Sequence, residues 1–281
     1  MTEPRVLVVR NDESAPLGPL GEWLTEAGLD LHVVDGPQLP DDLSGFDALV
    51  ILGGAMGAND DQVAPWLPHE RALLRAAVSG EVPVLAICLG AQLLAVAHGG
   101  RVQPNPDGPE FGAQLVAKRS AAADDPLFGP LPITPDVLQW HFDAVTALPR
   151  GAVNLFSSPG CENQAYRLGR LAWGIQFHIE TTPDLVRSWA AADAAALEGY
   201  DVDRILSRVD ATADDLTEVW RPFAHAFADI VRAPSSVPPL RTVPTSGPMT
   251  DPAAVRAALA AEASAARMPL PMPIRRPPGD D

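Results

Sequence analysis

Lysine is almost absent from this chain: of 281 residues only Lys118 is lysine, against 19 arginines. Lys and Arg together number 20 and Asp and Glu 36, a formal net charge of -16. Nucleic-acid backbones are held largely through counterions released at Lys and Arg, so a surface of this sign excludes general nucleic-acid binding. The two cysteines, Cys88 and Cys161, are too few for a disulfide framework and are read one at a time. No apolar run nears the roughly 18 residues that a bilayer span takes, which excludes a transmembrane protein. Glu3, Arg5, Arg10, Asp12 and Glu13 break any signal-peptide pattern, and the expectation is a cytoplasmic protein without membrane contact. Neither G-x-G-x-x-G nor a P-loop Gly-Lys-Ser/Thr occurs, and no Cys or His cluster has zinc spacing. Neither a cofactor nor a metal is expected.

What is present is ordinary globular composition, 47% hydrophobic and 20% charged, patterned in two textures. Apolar runs at 6–9, 31–34, 48–52 and 82–87 alternate with helical patterns at 17–27, 66–78 and 89–97, the first closed by Gly28 and the last by Gly99-Gly100. Runs apolar on both faces and separated by helices predict an α/β fold, a mostly parallel central sheet flanked by helices. Beyond residue 100, short strand patterns at 113–117, 137–140, 153–156, 164–167 and 173–177 predict a small antiparallel extension before the chain returns to the main sheet. Pro183 sits where a first helical turn tolerates it and opens a helix over 184–197.

After Thr212, Leu216, Val219, Trp220, Phe223, Phe227 and Ile230 share one helical face, with Pro222 expected to kink it. Residues 201–233 therefore read as a C-terminal helical appendage packed on a domain of residues 1–200. From Pro234 onward 11 of 48 residues are proline, and the stretch carries +1, leaving -17 on residues 1–233. Only 251–267 has helical texture there, so 234–281 reads as a disordered tail.

The segment Val82-Pro-Val-Leu-Ala-Ile-Cys88-Leu-Gly-Ala-Gln92 runs a buried strand into a cysteine and, through Gly90, sharply into a helix. This strand-to-helix turn holds a nucleophile exposed at the top of a sheet. The helix N-terminus favours the thiolate, and the N–H of Leu89 is free to meet an oxyanion. The competing interpretation is a buried structural cysteine at a strand end. In Leu171-Ala-Trp-Gly-Ile-Gln-Phe-His178-Ile-Glu180, His178 and Glu180 are two apart, on one face of a strand, so Glu180 can orient the imidazole. Together they make a Cys–His–carboxylate triad, although His178 alone is equally a strand-end histidine bonded to backbone. Glycines in Leu49-Val-Ile-Leu-Gly53-Gly54-Ala-Met-Gly57 let backbone approach a ligand and offer a second oxyanion donor. A nucleotide-binding loop is the rival there.

In this order and spacing the three segments resemble the class I (triad) glutamine amidotransferase domain, over about residues 4–195. They are most similar to the stand-alone proteins that are like the amidotransferase half of GMP synthase. The resemblance implies a flavodoxin-like sheet and a mechanism in which Cys88 attacks the glutamine carboxamide. It implies that His178 handles the proton, Glu180 holds His178, and the N–H groups of Gly54 and Leu89 form the oxyanion hole. Substrate contacts would come from Gly53, from Gln92 one turn beyond Cys88, and from the stretch His141-Phe142-Asp143. Relatives usually have glycine at Ala86 and Phe142 and commonly proline at Ala55 and Ile179. Phe142 is the consequential departure, since a bulky ring beside the substrate can reshape the pocket.

Elsewhere, Cys161 reads as a plain loop thiol, and His32, His98 and His225 have structural explanations. His69 and Glu70 are adjacent on a helix and cannot share a face, and Asp60-Asp61 and Asp124-Asp125 read as caps and turns. Three functions compete. The first is a glutaminase that passes ammonia to a synthetase partner in trans, since no ATP-binding loop is present. The second is a stand-alone hydrolase of γ-glutamyl amides or peptides, and the third a catalytically weak regulatory or binding subunit whose pocket Phe142 blocks.

Overall fold

The computed structural model of the chain describes residues 3–239. Five parallel strands make the centre of the sheet: β1 (Arg5–Arg10), β2 (Asp30–Asp35), β3 (Ala48–Ile51), β4 (Val84–Ile87) and, last among the described residues, β12 (Ala172–Ile175). Their order is β2-β1-β3-β4-β12, the flavodoxin-like doubly wound arrangement, in which ligands sit outside the carboxyl ends of the strands where the order reverses. The sheet continues as three antiparallel strands, β11 (Ala165–Leu168), β10 (Val153–Ser157) and β7 (Ala117–Lys118). Two ribbons stand beside it, β5 (Arg101–Pro104) with β9 (Asp143–Ala147), and β6 (Glu110–Leu115) with β8 (Asp136–His141). The antiparallel extension is thus larger than the sequence pattern indicated, because β5, β7 and β9 are short or polar and lack clean alternation.

Period-two alternation sorts the central strands between two cores. Val6, Val8, Val50, Leu85 and Ile87 face one side, with Leu20, Trp23 and Leu24 of α1 (Gly18–Glu26). Leu7, Val9, Leu49, Ile51, Val84 and Ala86 face the other, beneath α2 (Leu67–Ser79) and α3 (Leu89–Ala97). Strands β1, β3 and β4 are buried on both faces, which is why they read as unbroken apolar runs, whereas the edge strand β2 is only partly buried. A third cluster joins Phe111, Ala113, Leu138 and Trp140 of the β6–β8 ribbon to Val186 and Trp189 of α4 (Pro183–Ala192).

Helix α5, the last α-helix among the described residues, spans Val202–Arg232 and continues through Pro222. It starts ten residues earlier than the pattern after Thr212 indicates, since Val202, Ile205, Leu206 and Val209 extend the same spacing and pack in the third cluster. Trp220, Phe223, Phe227 and Ile230 join the first core against α1, so the helix is a wall of the body. Helix α4 stops five residues before Leu197, in a run of turns that still buries Leu197. The first residues after α5 also pack down: Val237 is buried, and the Arg167 guanidinium donates to the Pro238 carbonyl at 2.8 Å. The helical texture at 251–267, and the rest of the proline-rich stretch from 240, lie outside the described residues. Among the described residues no helix is long and apolar enough to cross a membrane.

Candidate active site

Cys88 follows β4 directly and caps α3 with φ +50°, ψ -107°; among the described residues only Glu81 is another non-glycine in the left-handed region. Such a conformation is costly for a side-chain-bearing residue and persists only where the surroundings enforce it. Two contacts do so. The Cys88 N–H donates to the Ile175 carbonyl at the end of β12, at 2.8 Å. Gly90 lies so close to β3 that a Cβ there would sit 2.5 Å from the Ile51 carbonyl oxygen. The first turn of α3 therefore rests on the sheet, its free N–H groups, that of Leu89 included, pointing past the thiol.

Strand β12 ends at Ile175, three residues before His178, so His178 and Glu180 leave the regular strand and a single bridge to Leu138 carries the chain onward. The pair still meets: His178 Nδ1 lies 2.6 Å from Glu180 Oε1, and Glu180 Oε2 accepts from the Ile179 N–H at 2.9 Å. Both side chains are almost completely buried. Burial by itself disfavours the imidazolium, but the Glu180 carboxylate and then Cys88 outweigh it and raise His178 well above its ordinary 6.5. The Cys88 thiol itself lies 4.0 Å from the Trp140 carbonyl oxygen. Gly18, in the left-handed region at φ +47°, packs on the Glu180 carbonyl, where a Cβ would collide.

The glycine turn after β3 closes the third side. A Cβ on Gly53 would lie 3.2 Å from His178 Cε1 and 3.5 Å from Cys88 Cβ. One on Gly54 would lie 3.0 Å from Leu89 Cδ2, and both residues line the same cleft. Gln92 is buried, with its Nε2 donating to the Asp143 carbonyl at 3.0 Å and to Gln176 Oε1 at 3.2 Å. Gln176 in turn donates from Nε2 to Cys88 Sγ at 3.6 Å. The His141 ring is held away from solvent, with Nε2 at 3.0 Å from Glu110 Oε2 and Nδ1 at 3.0 Å from the Asp143 carbonyl. Glu110 also accepts from Ser158 Oγ and Gln164 Nε2, so β6, β9 and the loop between β10 and β11 together lock His141 in place. Phe142 is half-exposed and meets Phe111 edge-to-face at 5.4 Å between centroids. Burial, then the charge of Asp60, raises Asp143 above the usual carboxylate range.

Of these groups Gly54, Cys88, Leu89, Gln92, His141, Phe142, Asp143 and His178 border one cleft of about 410 Å³, while Glu180 and Gln176 stand behind its wall. Gly53 lies just behind it. Phe142 forms part of the wall and leaves Cys88 open to the cleft. A thiol at a helix N-terminus, an imidazole raised by a buried carboxylate and free N–H groups across the gap can carry acyl transfer. Among the described residues no group of three or more His, Cys, Asp or Glu could hold a metal.

Sequence reasoning passed over four contributors: Gln176, Trp140, Trp189 and Asp193. Gln176 carried a usable signal, standing two residues before His178 as Glu180 stands two after. Trp189 reaches His178 from α4, with centroids 4.9 Å apart, and nothing local in an amphipathic helix marks it. Cys161 is indeed a loop thiol, and burial followed by Glu110 pushes it up to about 12, far from reactive. Asp125 is more than a turn residue. It accepts from the N–H groups of Leu127 and Phe128 and pairs with buried Arg167 at 3.3 Å.

The chain is 35% identical over 145 residues to the glutamine-hydrolysing GMP synthase of Christiangramia forsetii, an alignment covering 51% of this chain and 26% of that protein. It thus spans about a quarter of the length of that enzyme. A glutamine amidotransferase-like protein of Salmonella typhimurium, YfeJ, is 29% identical over 188 residues, 65% of this chain and 78% of that one. The crystal structure of a Thermotoga maritima glutamine amidotransferase superposes with a TM-score of 0.73 at 32% identity, covering 82% of this chain and all of that one. The family model described as Glutamine amidotransferase class-I matches residues 21–188, and the chain belongs to that family.

Proposed function

We propose that the protein hydrolyses the side-chain amide of glutamine through a γ-glutamyl thioester on Cys88 and supplies the ammonia to a synthetase partner in trans. The observation that carries this reading is the Glu180–His178 pair at 2.6 Å, buried beside the Cys88 thiol at the strand-to-helix turn. His178, raised well above 6.5, takes the proton of the Cys88 thiol as the sulfur attacks. The thiolate sulfur bonds to the amide carbon while the carbonyl oxygen takes up charge between the N–H groups of Gly54 and Leu89. Collapse breaks the C–N bond, and His178 gives its proton to the leaving nitrogen. Water then adds to the thioester carbon, His178 taking its proton; the thiolate departs, and the carboxylic proton of the product passes to the released amine. Gln92 and Gln176 hold the floor of the site, Gly53 lets the substrate approach, and His141 fixes the backbone around Phe142 and Asp143.

A synthetase partner is supported by similarity to one subunit of the glutamine-hydrolysing GMP synthase of Thermoplasma acidophilum, 32% identical over 162 residues. A second reading, hydrolysis of larger γ-glutamyl amides without a partner, is favoured by the size of the cleft and by Phe142 lying on its wall. A pocket blocked by Phe142 finds no support in that geometry. The test is glutamate release from glutamine by the purified chain beside Cys88→Ser, with mass spectrometry of the adduct formed by a glutamine-analogue electrophile. Turnover lost in the variant and an adduct on Cys88 are expected. An unmodified Cys88, or equal turnover by the variant, refutes the thioester.

A further inference from the structure

In this reaction the leaving nitrogen must come to His178, because that ring supplies its proton, whereas the carbonyl oxygen faces Gly54 and Leu89. The wall next to His178 is therefore the leaving-group wall, and α4 forms it. Trp189 lies 4.9 Å from His178 between ring centroids, and Trp140 lies 6.0 Å from Trp189. Trp140 Nε1 donates to Asp193 Oδ2 at 2.8 Å, just past the end of α4, and Asp193 borders the cleft with Ser188 and Ala192. The hydrogen bond fixes where the Asp193 charge sits. Among the described residues no Arg, Lys or His pairs with that carboxylate.

Apart from the His178 ring, the charged lining has the same sign. Asp143 is the other charged carboxylic residue in the cleft, and neither lysine nor arginine borders it. Asp143 is raised by burial and then by the nearby Asp60 charge, against a smaller opposing pull from His141. Two indole rings and an anchored carboxylate without a cation of its own make a surface that attracts an organic ammonium. A cleft of about 410 Å³ falls in the range that encloses drug-sized ligands, with room beyond a γ-glutamyl group.

Resting on the thioester reading above, we propose that the Trp189–Trp140–Asp193 wall selects γ-glutamyl amides whose leaving amine carries a second, distal positive charge. Methylenes between the two nitrogens lie along the indole rings, and the distal ammonium reaches Asp193, clear of the His178 imidazolium. The covalent step is unchanged: the C–N bond breaks, His178 protonates the nearer nitrogen, and the amine leaves. Leaving groups ending in a carboxylate meet Asp193 and Asp143 and are disfavoured.

The experiment compares kcat/KM of the full chain for glutamine and for short γ-glutamyl ω-aminoalkylamides, n-alkylamides and ω-carboxyalkylamides of matched length. The cationic series should exceed the neutral one by about tenfold, with the anionic series lowest. That ratio should fall toward one in Asp193→Asn, which keeps an oxygen for Trp140 Nε1. If that variant does not fold, product inhibition of the native protein replaces it: a free ω-diamine should inhibit at about a tenfold lower concentration than the monoamine of equal length. Turnover of glutamine alone, equal rates for cationic and neutral amides, or equal inhibition by diamine and monoamine overturns the proposal. Electrophile labelling of Cys88 in the same preparation separates the two levels. Labelling without charge preference overturns the cation-selective wall alone, whereas no labelling removes the thioester and this proposal with it.

Discussion

Replacing Glu70 by glutamine should stabilise the protein above neutral pH, and the size of the effect follows from where this carboxyl is held. Glu70 lies in the first turn of α2 with no exposed surface. Its Oε1 accepts from Asn11 Nδ2 at 3.0 Å, and its Oε2 has no hydrogen-bond partner. Burial pushes the group from an ordinary 4.5 up to about 7, against the smaller opposing pulls of the Asn11 hydrogen bond and the Arg71 charge. The native state thus keeps a proton that the unfolded chain releases near 4.5. Between those two values folding takes up a proton, so the stability contributed by Glu70 falls as pH rises and is lowest above about pH 7.

At about 1.4 kcal/mol for each pH unit of that interval, the full cost of the buried carboxylate is about 3 kcal/mol. Glutamine keeps an oxygen for Asn11 and removes the titration, while leaving an unpaired amide N–H₂ that costs about 1–3 kcal/mol at every pH. The pH-dependent part is therefore the clean observable. In urea unfolding, the stability of Glu70→Gln relative to the native sequence should rise by about 2 kcal/mol from pH 5.5 to pH 8. This range stays above the sequence pI of about 4.6. Parallel stability curves for the two proteins across that range would refute the argument.

Glu180→Gln removes the charge that raises His178, so turnover should fall about a hundredfold or more, and the alkaline limb of kcat/KM should move to lower pH. An unmoved limb speaks against the pairing. Asp125→Ala strands a buried guanidinium, Arg167, and should cost about 3 kcal/mol or more in chemical denaturation, with a loss below about 1 kcal/mol counting against that account. Gly18→Ala puts a Cβ into the Glu180 carbonyl at a left-handed position. The folded protein should lose about 1–2 kcal/mol of stability and much of its kcat, and normal kcat in the variant would show that Glu180 does not depend on this contact.

Much of this architecture is written in local pattern. The runs that become β1, β3 and β4 are apolar without interruption, and only a strand covered on both faces requires that. The elbow is equally local, because a strand, a cysteine and a glycine two residues on describe a turn within one stretch of chain. His178 and Glu180 were also legible, although they meet just beyond the strand that was expected to hold them. Helix α5 shows how far such patterns reach: its aromatic second half stands out by periodicity, while for its charged first half, read as helical within 201–233, only the structure supplies the β6–β8 ribbon it packs against.

Tertiary structure alone decided which distant groups share a space. Nothing within a few residues of Gln92, Gln176 or Asp143 indicates that their amides and carbonyl meet beneath Cys88. Nor does anything near His141 mark Glu110, Ser158 and Gln164 as its surroundings. Trp189 and Asp193 reach the site because α4 folds back over it, and Asn11, Trp66 and Glu70 meet because α2 lies against the end of β1. Sequence periodicity records which face of an element is buried, since that depends on neighbours three, four or two residues away. It carries no record of what the opposing element places there, because that is set when the loops close and the layers pack.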